Sequence, residues 1–341
     1  MKVREILEAW RKILAGQAPM LSIEITKECP LHCPGCYAFN DNHLGGEVTL
    51  RGLSELRGDN LVEGVMRLVE RHRPVHVSLV GGEPLLRVLE LNKLLPLLAE
   101  KHIYTMVVTS AVIPIPAHWM EIPRVKVAVS VDGLPEDHDV RRHPATYQRI
   151  LKNIAGRQVS IHLTITHSML QDDMYLSKYL EFWNSRPEVS RIWISLYTPQ
   201  QDEQTPEMLT SRDREALFAN MADWRAAYLK LLINPGIIAA FEAPPANPVA
   251  CIFAEMSTNY SADMKTRVEP CVLGGQPDCA SCGCAASIGL HSLRTSRLLG
   301  PLKVGDVINT SIRIGSVVRA CFGSRIPPRW HSHPDQVEIA H

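Results

Sequence analysis

The amino-acid sequence predicts an α/β protein: a parallel sheet wound with helices into an open, partial (β/α)6 barrel of the TIM type, followed by a small Cys-rich C-terminal domain. Three observations carry that reading. Short β-rich runs alternate with longer helical ones from residue 21 to residue 232, and repeated strand–helix alternation builds right-handed βαβ units with parallel strands. The strand candidates number six, too few to close a barrel of eight. The nine cysteines fall into two groups, one ending at Cys36 and the other starting at Cys251, so two structural units each carry a thiol site. In sheets of this kind the functional site lies at the C-terminal ends of the strands.

The elements follow in order. Residues 1–20 form an N-terminal amphipathic helix: Val3, Ile6, Leu7, Trp10, Ile13 and Leu14 recur at helical spacing, and Gly16 and Pro19 end it. Its polar face mixes both charges, which favours a cap packed on the barrel over a membrane-surface helix. The barrel core spans 21–235. Its strands are expected at Leu21–Thr26, Val75–Val80, Ile103–Val108, Val125–Val131, Val159–Thr166 and Arg191–Tyr197, with helices near Leu61–Arg71, Val88–Lys101, Thr146–Asn153, Asp173–Trp183 and Ser211–Leu232. Pro96 should kink or shorten the second helix. Four prolines in 234–249 mark a linker, and 250–341 form the Cys-rich domain, where STNYSADMKTRVEPC suits a hairpin turning near Ser261–Met264.

Composition excludes some function classes. Lys plus Arg and Asp plus Glu number 36 each, so no net charge draws the chain to nucleic acid. No apolar run approaches the roughly 20 residues that span a bilayer, and the first residues lack the apolar core of a signal peptide. A cytoplasmic protein is expected. In that reducing compartment clustered thiols mean metal or catalysis rather than disulfides.

The first cluster, ECPLHCPGCYAF, places Cys29, Cys33 and Cys36 at C-x3-C-x2-C directly after the first strand. Thiolate favours iron–sulfur clusters and zinc. A cubane holds four irons, so three thiols leave one iron open, whereas structural zinc is four-coordinate and no fourth ligand follows at the right spacing. His32 could serve zinc, although Cys33 beside it strains joint coordination.

At these residues the chain resembles the radical S-adenosylmethionine (SAM) superfamily, whose signature is C-x3-C-x2-C on the loop after the first barrel strand. Further motifs follow in order. Gly81, Gly82 and Glu83 end the second strand; the resemblance implies that this GGE binds the methionine amino group of SAM, and glycines let a backbone approach a ligand closely. Thr109 and Ser110 end the third strand where relatives carry a polar residue near the ribose, more commonly Asn. SVDG and HDVRR follow the fourth, so Ser130 and Asp132 would point toward SAM or substrate, while His138, Asp139 and Arg142 organise the next loop. Thr164 and Thr166 line the fifth strand or are plain strand residues. Relatives often carry an aromatic just before the third cysteine; here Gly35 stands there and Tyr37 follows. The resemblance covers 21–235 by pattern. It implies a [4Fe-4S] cluster on Cys29, Cys33 and Cys36, bound SAM, a reducing electron donor such as flavodoxin or ferredoxin, and a 5′-deoxyadenosyl radical that takes hydrogen from a peptide or small-molecule substrate.

The second group is Cys251, Cys271, Cys279, Cys282 and Cys284. A hairpin followed by C-x2-C resembles the SPASM or twitch extensions of that superfamily, which implies one auxiliary [4Fe-4S] cluster on Cys271, Cys279 and Cys282 with Cys251 or Cys284 as fourth ligand. Zinc suits four thiolates equally well. Cys321, on an apolar stretch, reads as a core thiol, and the WHSH run at Trp330–His333 as a solvated tail. Two other functions stay open: a structural zinc-binding interaction protein, and an electron carrier with two closed clusters.

Overall fold

The structure, a computed structural model, describes residues 3–144, 147–299 and 302–322. All six expected strands form: β1 (Met20–Glu24), β2 (His76–Val80), β3 (Tyr104–Thr109), β4 (Val125–Ser130), β5 (Val159–Ile165) and β6 (Val189–Leu196). A seventh, β7 (Ser257–Tyr260), comes from the Cys-rich region. The sheet order is β6-β5-β4-β3-β2-β1-β7, and every pairing is parallel. Among the described residues β6 and β7 do not pair, so the sheet stays open.

The helices are α1 (Val3–Leu14), α2 (Asp59–His72), α3 (Val88–Glu100), α4 (Pro135–Arg141), α5 (Tyr147–Ile154), α6 (Tyr175–Ser185), α7 (Ser211–Ala227), α8 (Pro235–Glu242), α9 (Ile252–Met256), α10 (Ala285–His291) and α11 (Val304–Phe322). One apolar core runs from Leu21, Ile23 and Ile25 through Val107, Val127, Val129 and Ile161 to Trp183 and Leu196. It fills the space between sheet and helices.

Several elements depart from expectation for definable reasons. α3 runs through Pro96 to Glu100. Its four buried leucines, Leu91, Leu94, Leu95 and Leu98, contribute about 1.5–3 kcal/mol each, more than the ~3 kcal/mol a helical proline costs. α7 stops at Ala227 because the chain then turns to pair with β6: Ile192 donates to the Lys230 carbonyl at 2.8 Å and Leu232 to the Ile192 carbonyl at 2.9 Å. The proline-rich 234–249 holds α8, started by the Asn234 cap and Pro235 and held by buried Ala240 and Phe241. Cys321 is exposed rather than in the core. α11 buries Ile308, Ser311 and Gly315, and Cys321 falls off that face. Trp330–His333 and Thr146 lie outside the described residues.

α1 packs on α11. The contact is backbone to backbone. A Cβ on Gly315 would stand 2.1 Å from the Ile13 carbonyl oxygen, and one on Gly16 2.3 Å from that of Gly315.

The C-terminal segment touches both edges of the sheet. β7 pairs with β1, setting Leu21 beside Thr258. Past a tight turn in which Ser261 N–H donates to Thr266 and Val268 N–H to Asn259, the chain reaches β6, where Leu196 N–H donates to the Gly283 carbonyl at 2.9 Å. A Cβ on Gly283 would meet Leu196 Cβ at 2.3 Å, so only glycine lets the Cys282–Cys284 turn lie on that strand.

Candidate functional site

Cys29, Cys33 and Cys36 lie on the loop that leaves β1. The β2 loop holds it from one side: Gly82 N–H donates to the Thr26 carbonyl at 2.9 Å and Glu83 N–H to the Glu28 carbonyl at 2.8 Å. Gly81 has φ +123°, and a Cβ on Gly82 would stand 2.0 Å from Glu28 O. These glycines therefore serve the approach of two loops to each other. From the other side, His32 N–H donates to the His143 carbonyl at 2.8 Å. Burial pushes the Cys29 thiol up to about 11, with the charges of Glu83, Cys33 and Cys36 adding to it. Burial raises Cys33 and Cys36 as well, and Arg142 and Arg141 pull both the other way. The three thiols thus share one electrostatic neighbourhood beside two guanidinium groups.

Glu83 is buried beside this loop. Its carboxylate accepts from Leu85 N–H at 2.9 Å, Ser110 N–H at 2.8 Å, and the hydroxyls of Thr109 and Ser110. Asp132 is fully buried at the end of β4. It accepts from Arg142 Nε at 2.8 Å, Thr164 N–H at 3.0 Å and Arg141. Burial alone would raise its pKa; the charges of Arg142 and Arg141 and the Thr164 bond outweigh that and hold it well below the usual carboxylate range. Arg141 also grips Glu207 through two bonds of 2.8 Å, and Glu207 and the Tyr197 ring stand against Gly35. His138 is kept neutral, its pKa pushed down to about 4 by burial and by Arg142; its Nδ1 accepts from Asp132 N–H at 3.1 Å. Asp139 accepts from Tyr147 N–H at 2.6 Å.

The second site is a cavity lined by Cys251, Cys271, Cys279, Cys282 and Cys284 together with Phe253 and Pro270. Burial pushes Cys279 and Cys284 up to about 12 and raises Cys271 and Cys282. Cys271 feels the charges of Cys284, Cys251 and Cys282, Cys284 and Cys279 each those of Cys282 and Cys251, and Cys282 that of Cys251. Arg214 supplies positive charge near Cys282. Tyr37 lies between the two sites: burial raises its pKa first, then Glu24, Cys36, Cys284 and Cys271.

The profile of the Radical SAM superfamily matches residues 23–173. These residues belong to the Radical SAM superfamily. No curated protein sequence matches the chain. Among solved structures, the chain is similar to Streptococcus suis SuiB bound to its precursor peptide SuiA, with 14% identity over 91% of this chain and 74% of SuiB and a TM-score of 0.57. It is also similar to native anSMEcpe with bound AdoMet, at 16% identity, 90% and 98% coverage and a TM-score of 0.55. A third likeness is to anSMEcpe with AdoMet and a Cp18Cys peptide, at 15% identity, 89% and 99% coverage and a TM-score of 0.55. The shared fold runs well beyond the matched domain, into the Cys-rich segment.

In the radical SAM domain, Cys29, Cys33, Cys36, Glu83, Thr109 and Ser110 gather at the C-terminal strand ends. Ser130 is buried at the end of β4, in register with His162, and Asp132 faces its two arginines. Thr166 meets Ser168 at 3.1 Å. Glu207, Tyr197 and His43 escaped the sequence reading because no motif spacing marks them, and Arg141, inside the HDVRR stretch, was given no role there. Among the described residues no three Cys, His, Asp or Glu side chains draw together as a closed single-ion site. The donor chemistry does fit thiolate-held clusters: buried thiols disfavour ionisation until a cation shares their charge, and both groups present several thiols to one space.

Proposed function

We propose that the chain is a radical SAM enzyme that modifies a peptide substrate, with a second thiolate-held iron–sulfur site in its C-terminal segment. The observation that carries this reading is the packing of the Cys29–Cys36 loop on the GGE loop, which sets three thiols beside the Glu83 carboxylate at the strand ends. When bound, the cluster and SAM supply hydrogen-atom abstraction at an unactivated carbon, chemistry that no side chain provides.

The protein holds and orients. Cys29, Cys33 and Cys36 ligate the first cluster. Thr109 and Ser110 aim the Glu83 carboxylate, which offers negative charge to the SAM ammonium. Arg141 and Arg142, balanced by Asp132 and Glu207, put positive charge beside Cys33 and steady its thiolate. Cys271, Cys279 and Cys282, with Cys251 or Cys284 as the fourth ligand, hold the second site, all five lining one cavity. A peptide is favoured as substrate because SuiB and anSMEcpe, which share the fold, are each seen with a peptide. A reducing carrier such as flavodoxin or ferredoxin is the expected electron donor.

The test is anaerobic. Reconstituted wild type, given dithionite and SAM, should release 5′-deoxyadenosine, and the Cys29/Cys33/Cys36 triple-Ala variant should release none. Colourless protein with zinc on each cysteine group and no deoxyadenosine would put a structural zinc protein in its place.

A further inference from the structure

His43 is fully buried, and both of its ring nitrogens meet acceptors. Nε2 stands 2.7 Å from Glu24 Oε1 and Nδ1 2.9 Å from the Leu273 carbonyl oxygen. Beside an ionised Glu24 a neutral imidazole would turn a lone pair on one of these oxygens, whereas a doubly protonated ring donates to both. Glu24, itself nearly buried, also accepts from Ser261 Oγ at 2.6 Å. Burial opposes the charge on His43, but the Glu24 bond, its charge and the Leu273 carbonyl outweigh it and raise the pKa.

The partners come from four places in the chain. Glu24 ends β1, just before the first cysteine loop. Ser261 follows β7. Leu273 lies two residues past Cys271, and the Tyr37 ring, next to Cys36, stands 5.6 Å from the imidazole. Gly274 completes the arrangement: with φ +66°, its added Cβ would stand 2.1 Å from His43 O and 2.5 Å from His43 Nδ1.

We infer that His43 is a positioning residue that locks the Cys271 loop onto β1 and so sets the ligand geometry of the second site. The inference rests on the reading of Cys271 as a ligand there. His43 touches neither thiol group directly; it acts through the Leu273 backbone. A buried ion pair is a poor source of net stability but specifies one arrangement, because each charge is costly without the other. Here it selects the single docking of a Gly-rich loop that has few apolar side chains of its own to fix it.

The experiment uses the full chain loaded anaerobically with iron and sulfide, then treated with iodoacetamide and read cysteine by cysteine by mass spectrometry. Electron paramagnetic resonance of the dithionite-reduced protein runs in parallel. Wild type should protect both thiol groups and hold about eight irons, two cubanes of four. His43→Gln keeps a donor for Glu24 but cannot span to Leu273. It should expose Cys271 and Cys284 to alkylation, lose the second resonance signal and fall to about four irons, with Cys29, Cys33 and Cys36 still protected. Gly274→Ala should do the same by displacing His43. Gly156→Ala, which shares the positive φ but whose Cβ would meet nothing within 4 Å, should match wild type. If either displacing variant fails to fold by circular dichroism, the other decides. Unchanged protection of Cys271 in the folded variant, equal loss at both thiol groups, or the same loss in Gly156→Ala would overturn the inference. Unprotected C-terminal thiols in wild type itself would instead remove the second site, and the reading it rests on, before any variant is compared.

Discussion

Asp132 is a fully buried carboxylate facing two guanidinium groups. Removing one side of such a pair leaves buried charge uncompensated, at a cost of about 3–5 kcal/mol. Asp132→Asn should therefore lose stability of that order in urea at pH 7. The pH dependence has a definite sign. The folded-state pKa lies below the ordinary value, so the stabilisation is complete above the unfolded-state pKa of about 4 and shrinks as pH falls below it. The gap between wild type and variant should be constant from pH 7 to 5 and narrower at pH 3. Equal stability at pH 7 would show that the arginines find other partners. At this scale, legibility in the sequence followed separation along the chain. Cys29, Cys33, Cys36 and Glu83 could be found because their spacing is local or falls at strand ends. His43 could not, because Leu273 is 230 residues away; Arg141 stood in the HDVRR motif, but its tie to Glu207, 66 residues on, did not show.

Among elements, the crossing of α1 and α11 offers the cleanest test of close backbone approach. Gly315 sits mid-helix with ordinary φ, so Gly315→Ala carries no backbone strain and improves helix propensity; any loss must come from the Cβ meeting the Ile13 carbonyl at 2.1 Å. Overpacking of this kind costs about 1–3 kcal/mol. The variant should melt several degrees lower and be cut sooner by protease after α1, with iron loading unchanged. A higher melting temperature would mean that the helices separate without penalty and propensity wins. The crossing was invisible beforehand because α11 itself was not anticipated. β7 was expected as the first arm of a hairpin, but its pairing with β1 was not. Its four residues, Ser257–Tyr260, are polar yet all buried; Tyr260 O–H meets His72 at 3.0 Å and Asn259 Nδ2 donates to the Val268 carbonyl at 3.3 Å. The six other strands carried β-branched runs, and each formed within a few residues of its expected span. Buried polar strands give periodicity arguments nothing to hold.

Across the whole molecule, the C-terminal segment is built into the barrel rather than appended to it. It adds β7 to β1, gives Ser261 to Glu24 and Leu273 to His43, and seats Gly283 on β6, where Ala285 N–H also donates to Ser195 Oγ at 3.0 Å. The Cys-rich stretch was legible as a second thiol site, but its role in completing the sheet was not, because nothing in a cysteine pattern says which strand its neighbours will join. A chain ended after residue 250 tests the point. It would leave β1, which carries Leu21 and Ile23, paired with β2 alone, and the bared edge favours association with other chains. It would also leave the Glu24–His43 pair with fewer partners. That fragment should elute as aggregate in size exclusion and fail to hold iron on Cys29, Cys33 and Cys36, although all three remain. A monomeric fragment with native-like circular dichroism and about four irons would show the reverse: that the barrel folds and loads alone, and that the C-terminal segment only docks on a finished sheet. The strand order favours the first outcome, because β1 carries the first cysteine loop and has β7 as one of its two neighbours.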